Sequence, residues 1–256
     1  MKYFLPIFFL ALLLIVWEYL IIIYNVPEYI LPGPLEIYDS LIKNWNSLLS
    51  ALFTTIEVTI IALILSAISG VTIAILLSQS KFVEHTILPY AVFIQVTPIV
   101  TIAPFIIIWV SDIFYVLVIL AWVSSVFPVI SNTLLGLKSI NKNLSDLFVI
   151  YNSSKFQRLR FLSFPSALPY FLGGLRISGG LALIGTVVAE MVAGTGGEKS
   201  GLASRLLEST YRLDLSTALA CFFLLSISGY LLFSFLSALS HLLLYKWHES
   251  ALNNKH

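Results

Sequence analysis

Cys221 and His241 are this chain's nearest approach to a nucleophile with its base, and both lie in one apolar run. Twenty residues apart on a single helix, they would stand about 30 Å from each other at 1.5 Å per residue. Proton transfer across that distance is excluded, and no second partner for either is evident. The other histidines, His85, His248 and His256, are scattered, with no HExxH or CxxC spacing that would hold a metal. A single cysteine rules out an intrachain disulfide. There is no GxxxxGK[ST] loop to cradle a nucleotide phosphate, so the chain does not itself hydrolyse ATP. No cofactor is expected on it, and nothing in it points to nucleic acid.

What remains is polar chemistry set inside apolar sequence. Glu18, Glu57 and Glu190 each interrupt a long hydrophobic run. An ionised carboxylate at mid-membrane costs roughly 2.5–3.5 kcal/mol on insertion scales, so each should face protein or water. Two roles stay open for them: structural hydrogen bonding and contact with a solute. Gly174, Ser178, Ala182 and Thr186 recur every fourth residue and lead to Glu190. Such a stripe of small residues either packs helices closely or lines a path or subunit contact. Pro98, Pro104 and Pro128 remove backbone donors and should kink or loosen their helices. Thr97, Thr101 and Gln95 stand close enough to satisfy the freed carbonyls or to line a path.

The elements that position these residues follow from composition. Of 256 residues 59% are hydrophobic and 11% charged, with a mean hydropathy of +0.96. A soluble domain needs about 25% charged residues to cover its surface, so this is an integral membrane protein. Apolar stretches of about 20 residues, enough to cross a bilayer, run over Tyr3–Tyr24, Ala51–Ser78, Thr86–Val110, Ile113–Leu135, Phe171–Ala193 and Ser216–Tyr245. Only Ser111 and Asp112 part the third from the fourth, which predicts a tight helical hairpin. The first run continues through Trp17, Glu18 and Ile23 with no small-residue cleavage site, so it reads as a span rather than a signal peptide. With the N-terminus inside, Lys2, Lys81, Lys138, Lys142, Lys155, Arg158, Arg160, Lys246 and Lys255 fall on the inner side. Lys43, Lys199, Arg205 and Arg212 fall outside, and Arg176 lies near the inner end of the fifth span. Nine against four predicts both termini inside. Glu18, Glu57 and Glu190 then sit in the outer halves of their spans.

The inner segment between the fourth and fifth spans reads SDLFVIYNSSKFQRLRFLSFPSALP, Ser145 to Pro169. It is far longer than a membrane hairpin needs. Leu144, Leu147, Phe148 and Tyr151 share one helical face, with Ser145 or Asn143 as cap and Asp146 in the first turn. Asn152 tolerates positive φ and predicts a turn. A second helix capped by Ser153 would show Phe156, Leu159 and Leu162 on one side and Lys155 and Arg158 on another. It should stop at Phe164, before Pro165. From pattern alone, this helix–turn–helix could lie on anionic lipid headgroups or serve as a handle for another protein.

The segment resembles the cytoplasmic loop of bacterial ABC importer permeases, the binding-protein-dependent family. Their signature is Glu-Ala-Ala, three residues, Gly, nine residues, then Ile-x-Leu-Pro. Here Asp146, Leu147 and Phe148 stand for the first three, Asn152 for the Gly, and Leu162-Ser163-Phe164-Pro165 for the close. The spacing is kept while most letters change. FPSALPYFLGGLRISGGLALIGTVVAEMVAG (Phe164–Gly194) is similar to the family's fifth span, and VTPIVTIAPFIIIWV (Val96–Val110) to its proline-bearing third. VWEYL at Val16–Leu20 and LPGP at Leu31–Pro34 resemble the start of the nitrate, sulfonate, taurine and thiamine-precursor branch. FPVISNTLLGL (Phe127–Leu137) and SGLASRLL (Ser200–Leu207) also fit, so the resemblance covers nearly the whole chain.

That resemblance implies an all-α membrane protein of six transmembrane helices with a cytoplasmic helix–turn–helix coupling loop. Residues 1–256 would form one permease domain, with a core over 51–245, a peripheral N-terminal helix over 3–24 and the coupling loop over 138–165. It implies a multi-pass protein of the bacterial inner membrane, pairing as a homodimer and resting on a dimer of cytosolic ATPases that bind ATP and magnesium. An extracytoplasmic binding protein would deliver the solute. Asp146, Leu147, Phe148, Tyr151, Asn152, Leu162 and Pro165 would couple to the ATPase, whose groove must accept Leu147 and Phe148 in place of alanines. Glu18 and Glu190 match the family at large, its anion importers included. Glu57 and Asp112 are less expected and tilt the solute from sulfonate or nitrate toward a neutral or cationic heterocycle such as a thiamine pyrimidine precursor. The rival classes are a secondary transporter, which usually shows two related halves, and a channel, which has no use for a docking loop.

Overall fold

The computed structural model describes residues 4–194 and 200–245. Tyr3, with which the first predicted span begins, and Lys2, Lys199, Lys246 and Lys255 of the charge count lie outside the described residues. Every regular element among the described residues is helical: α1 (Phe4–Tyr24), α2 (Pro34–Lys43), α3 (Trp45–Ser78), α4 (Lys81–Val96), α5 (Ile99–Trp109), α6 (Ile113–Lys138), α7 (Lys142–Ile150), α8 (Lys155–Arg158), a π-helical turn (Leu159–Ser163), α9 (Phe164–Ala193), α10 (Leu202–Tyr211) and α11 (Leu215–Leu244). Four are long and apolar enough to cross a membrane: α3, α6, the run Lys155–Ala193 and α11. The pair α4–α5 makes a fifth if its two arms, bent by 98°, count as one span, and α1 contributes a shorter apolar stretch over Phe8–Tyr24.

Three elements depart from expectation, each for a local reason. The second span begins at Trp45 rather than Ala51, because Leu48 and Ala51 are both buried and carry the helix back past the polar Asn46. The third span is broken rather than kinked. Thr97 and Pro98 are extended between α4 and α5, and Pro98 has no N–H with which to continue the helix. The second loop helix does not stop at Phe164. Leu159–Ser163 widens into a π turn in which Phe164 N donates to Leu159 O, and the helix runs on into α9 through Pro165 in its first turn, where a missing N–H is tolerated. Ser166 Oγ donates to Leu162 O (2.8 Å) in the turn that follows.

The chain divides into two compact units, Met1–Thr55 with Gly194–Ser228 and Ile56–Ala193 with Gly229–His256. In the larger, α9 packs along α6 with the backbones nearly touching. A Cβ on Gly174 would lie 2.7 Å from Pro128 O, and one on Gly136 would lie 2.8 Å from Ala167 Cα. Ser178 Oγ donates to Ser125 O (2.6 Å), Thr59 Oγ1 on α3 donates to Thr186 Oγ1 (3.1 Å), and Ser66 Oγ and Ser125 Oγ share a bond of 2.7 Å. In lipid such interhelical bonds average about 0.6 kcal/mol each, so close packing of small residues holds the bundle and the hydroxyls set its register. Val58, Ala62, Ala103, Val116, Ala121 and Ala189 fill the core between these helices. Asp112, an acid at the edge of an apolar run, caps α6 by accepting from Phe114 N (2.9 Å).

The smaller unit is held by polar contacts. Ser40 Oγ and Thr217 Oγ1 are 2.7 Å apart, Ser216 Oγ donates to Glu28 Oε1 (2.9 Å), and Leu202 N donates to Thr55 Oγ1 (2.9 Å). Glu36 accepts from Gly33 N (2.8 Å) at the start of α2, where Pro34 occupies the first turn. Glu18 of α1 reaches the same place: a Cβ on Gly33 would lie 2.7 Å from Glu18 Oε2, which also accepts from Leu35 N at 3.4 Å. The VWEYL and LPGP stretches are thus two halves of one contact, a carboxylate against the N-terminus of a helix.

Candidate functional site: the basic loop and the broken span

In the loop, α7 begins at Asn141, whose side chain accepts from Asn143 N (2.9 Å); neither Asn143 nor Ser145 is the cap. The Asn wins because its short amide reaches the second N–H of the helix from an extended backbone. Asn152 has φ 50°, the left-handed turn its type favours. Ser153 does not cap the next helix either. Its hydroxyl donates to Phe148 O (2.7 Å) and closes α7, while Ser154 accepts from Gln157 N and Gln157 Oε1 from Ser154 N, a reciprocal capping box. Arg158 donates to Ser145 Oγ and ties the two helices together. Glu84 at the start of α4 pairs with Lys138 at the end of α6.

The loop's apolar side chains are not packed away. Leu147 and Tyr151 are exposed and Phe148 half-buried, and with Ser153, Gln157 and Phe161 they line an open concavity of about 410 Å³. Asp146 and Asn152 are exposed, whereas Leu162 is buried and Pro165 half-buried. The structure therefore splits these residues into an outward set on α7 and its turn and an anchoring pair where the loop enters α9.

The small-residue stripe lies inward. Ser178, Ala182 and Thr186 are fully buried, Gly174 faces Pro128 O, and Glu190 is buried at the stripe's far end. All of them share the side of α9 turned to its neighbouring helices. Glu57 lies elsewhere, on the exposed face of α3. At the α4–α5 break, Thr97 Oγ1 donates to Phe93 O (2.7 Å) and Thr101 Oγ1 to Pro98 O (2.6 Å). Thr97, Pro98 and Gln95 line a cavity of about 250 Å³ with Ser124 of α6 and Leu181 and Ile184 of α9; Thr101 does not. Sequence reasoning placed Gln95 near a path but could not single it out, because its distance from α6 and α9 is a long-range property. Among the described residues no group of His, Cys, Asp or Glu is arranged to hold a metal ion.

The architecture is a set of apolar helices interrupted by a helical loop whose apolar side chains are exposed. Residues 66–249 match the model of the binding-protein-dependent transport system inner membrane component, and the chain belongs to that family of ABC importer permeases. It is 32% identical over 240 residues to the formylaminopyrimidine transport permease protein ThiX of Halalkalibacterium halodurans, covering 93% of this chain and 94% of that one. It is 26% identical to the putative aliphatic sulfonates transport permease protein SsuC of Bacillus subtilis over 94% of this chain and 86% of that protein. These relatives, with nitrate and taurine permeases, place it in the nitrate, sulfonate, taurine and thiamine-precursor branch. Among solved structures, the inward-facing MetNI methionine ABC transporter superposes with a TM-score of 0.65 at 15% identity, over 75% of this chain and 94% of that one. An amino acid ABC transporter crystallised with histidines gives 0.63 at 17%, over 81% and 97%. The fold is that of an ABC transporter permease, and the protein is multi-pass.

Proposed function

We propose that the chain is the solute-conducting subunit of an ATP-driven importer in the bacterial inner membrane, working as a homodimer on two cytosolic ATPase subunits and fed by an extracytoplasmic binding protein. ATP and magnesium bind the ATPases, and this chain carries no catalysis of its own. The observation that carries the reading is the α7–α8 loop. Its apolar residues Leu147, Phe148, Tyr151 and Phe161 line an open concavity, with the left-handed turn at Asn152 and a Ser145–Arg158 tie setting the two helices. Burying such a surface in a partner's groove is worth about 25 cal/mol per Å², and only a pre-ordered loop can pass on the movement of that groove. With α1 as a sixth span and both termini inside, as the Lys and Arg distribution predicts, the loop would lie on the cytoplasmic side.

The buried stripe on α9 would hold the moving bundle together, and the α4–α5 break with Thr97, Pro98 and Thr101 would lie along the path. The likeness to a formylaminopyrimidine permease supports a thiamine pyrimidine precursor as solute, with a sulfonate- or nitrate-like anion as the second reading on the strength of the other relatives.

Co-purification with the ATPase encoded beside this chain tests the assignment. Wild type should capture the ATPase, and a variant with Asp146–Tyr151 replaced by a flexible linker should not. Asn152→Pro should also fail, because proline cannot adopt φ near 50°. Equal capture by these variants would sink the coupling role, and no capture by wild type would leave the loop as a membrane-surface helix.

A further inference from the structure

Among the described residues, Arg176 is the one Lys or Arg that stands inside an apolar run rather than at a helix end or in a loop. It lies five residues into the predicted fifth span, roughly 8 Å along α9 from Phe171. Lys138, Arg205 and Arg212 each have a carboxylate, but Arg176 makes no ion pair and no hydrogen bond among the described residues. Its guanidinium carbon sits 5.9 Å from the centre of the Phe233 ring on α11. Nε is shut in without a partner, so the two terminal nitrogens, also without partners, are the ones left open. Beside them α9 is bare. A Cβ on Gly173 or Gly180, three residues before and four after Arg176, would meet nothing within 4 Å. Both positions neighbour Arg176 on the helix surface. Ile177 and Phe233, at the rim of this slot, are 54% and 51% exposed.

A lone cation inside an apolar run is costly. The ring of Phe233 offsets part of that cost through its face, but it leaves the terminal N–H donors of the guanidinium without an acceptor oxygen. We propose that Arg176, in the bare slot bounded by Gly173, Gly180 and Phe233, binds the phosphate of an anionic phospholipid on the loop side of the membrane. The direction of the side chain favours a headgroup. A helical Cα–Cβ bond leans toward the helix N-terminus, which for α9 is the loop end, so the stem carries the charge toward the membrane surface. The planar fork of the guanidinium fits two phosphate oxygens at once. Glycine is a poor helix former, and two of them facing open space leave room for an acyl chain to lie against the helix next to the charge. A free anion would have to shed its water against Ile177, Phe233 and bare backbone, whereas a lipid brings its own apolar body to that surface. Basic pockets between spans hold lipid headgroups in this way. Phosphatidylcholine fits less well, because its choline places a second cation beside Arg176.

The test uses the full chain purified in mild detergent, stripped of lipid and titrated with dioleoyl phosphatidylglycerol, with native mass spectrometry counting the lipid retained. We expect Arg176→Gln to weaken the tightest-held phosphatidylglycerol on the order of tenfold, the worth of one hydrogen bond to a charged group. Dioleoyl phosphatidylcholine should bind wild type and variant equally weakly. Lys155→Gln, on the exposed loop, should leave the phosphatidylglycerol in place. If Arg176→Gln does not fold, Gly180→Leu carries the same comparison: a leucine there leans over the turn that holds Arg176 and fills the slot without removing the charge. Phosphatidylglycerol held equally by wild type and these variants, or lost equally with Lys155→Gln, would overturn the site. Displacement of the lipid by millimolar inorganic phosphate would overturn the lipid as its source and make the ligand a free oxyanion. The titration needs no ATPase, so its failure and the failure of the coupling role are separate results.

Discussion

Along α9 every fourth residue from Gly174 to Thr186 is small and turned inward, whereas along α7 the residues that share a face, Leu144, Leu147, Phe148 and Tyr151, are large and mostly exposed. The two helices belong to the same compact unit, with the turn at Asn152, α8 and the π turn between them. The contrast teaches which exposure matters in a membrane protein. Apolar side chains on α1 or α11 can face lipid at no cost, so their exposure carries no message. On α7 the same kind of side chain alternates with Lys142, Asn143 and Asp146, which lipid would not accept. Under the proposed coupling role, these exposed apolar residues in polar company are the ones an ATPase groove would cover. The buried stripe obeys the opposite rule: with no hydrophobic gain from leaving lipid, α9 associates by letting backbones approach.

The comparison breaks most severely at Ser178. Its side chain is fully buried, and its hydroxyl donates to Ser125 O across the α6–α9 contact. Ser178→Trp should cost more than about 3 kcal/mol by overpacking, seen as loss of monodisperse protein after extraction. A well-folded variant that still transports would mean the stripe is not a packing face. Next in size is Leu147→Ser combined with Phe148→Ser on the loop. ATPase capture should weaken on the order of thirtyfold, as for a lost interface anchor, while the permease's own melting temperature stays put. A matching drop in thermal stability would show that the loop face is internal structure.

A finer probe uses two adjacent glycines. A Cβ on Gly174 would press on Pro128 O at 2.7 Å and Asn132 Cβ at 2.9 Å, whereas one on Gly173 meets nothing within 4 Å. Gly174→Ala should destabilise by about 1–3 kcal/mol, and Gly173→Ala should stabilise by roughly 0.5–1 kcal/mol through helix propensity. Equal melting temperatures for the pair would contradict the α6–α9 approach. The smallest effect belongs to Asn152→Gly, which restores the residue the family's signature carries. It relieves a left-handed backbone at the expense of chain entropy, so stability should move by less than about 1 kcal/mol and ATPase capture should be kept. Lost capture would show that the Asn side chain itself touches the partner.

Much of this was open to reading from residue order alone. Hydropathy marked α3, α6, α9 and α11 to within a few residues at most ends, and Asn152 announced its turn, because apolar length and φ preference are properties of short stretches. The failures are also local in cause. Pro165 speaks for a helix end, and only a π turn one step upstream lets the helix continue. Pro98 speaks for a kink, and the 98° bend exceeds what a proline alone implies. Helix caps slipped to Asn141 and Ser154 because several capping residue types stand side by side, and backbone dihedrals choose between them.

The sequence by itself therefore determined that this is an integral membrane protein, roughly where its apolar helices run, and that a basic segment of helical pattern interrupts them, while the permease reading came from its likeness to a family. Composition and local periodicity suffice for that, since burial in lipid asks only that a segment be long and apolar. Tertiary structure alone decided that Glu18 grips the start of α2 across the turn at Gly33, that the small residues of α9 face α6, and that Gln95 closes a cavity with α6 and α9. Those are distances between residues far apart in the chain, set by how closely backbones can approach, and no local pattern encodes them.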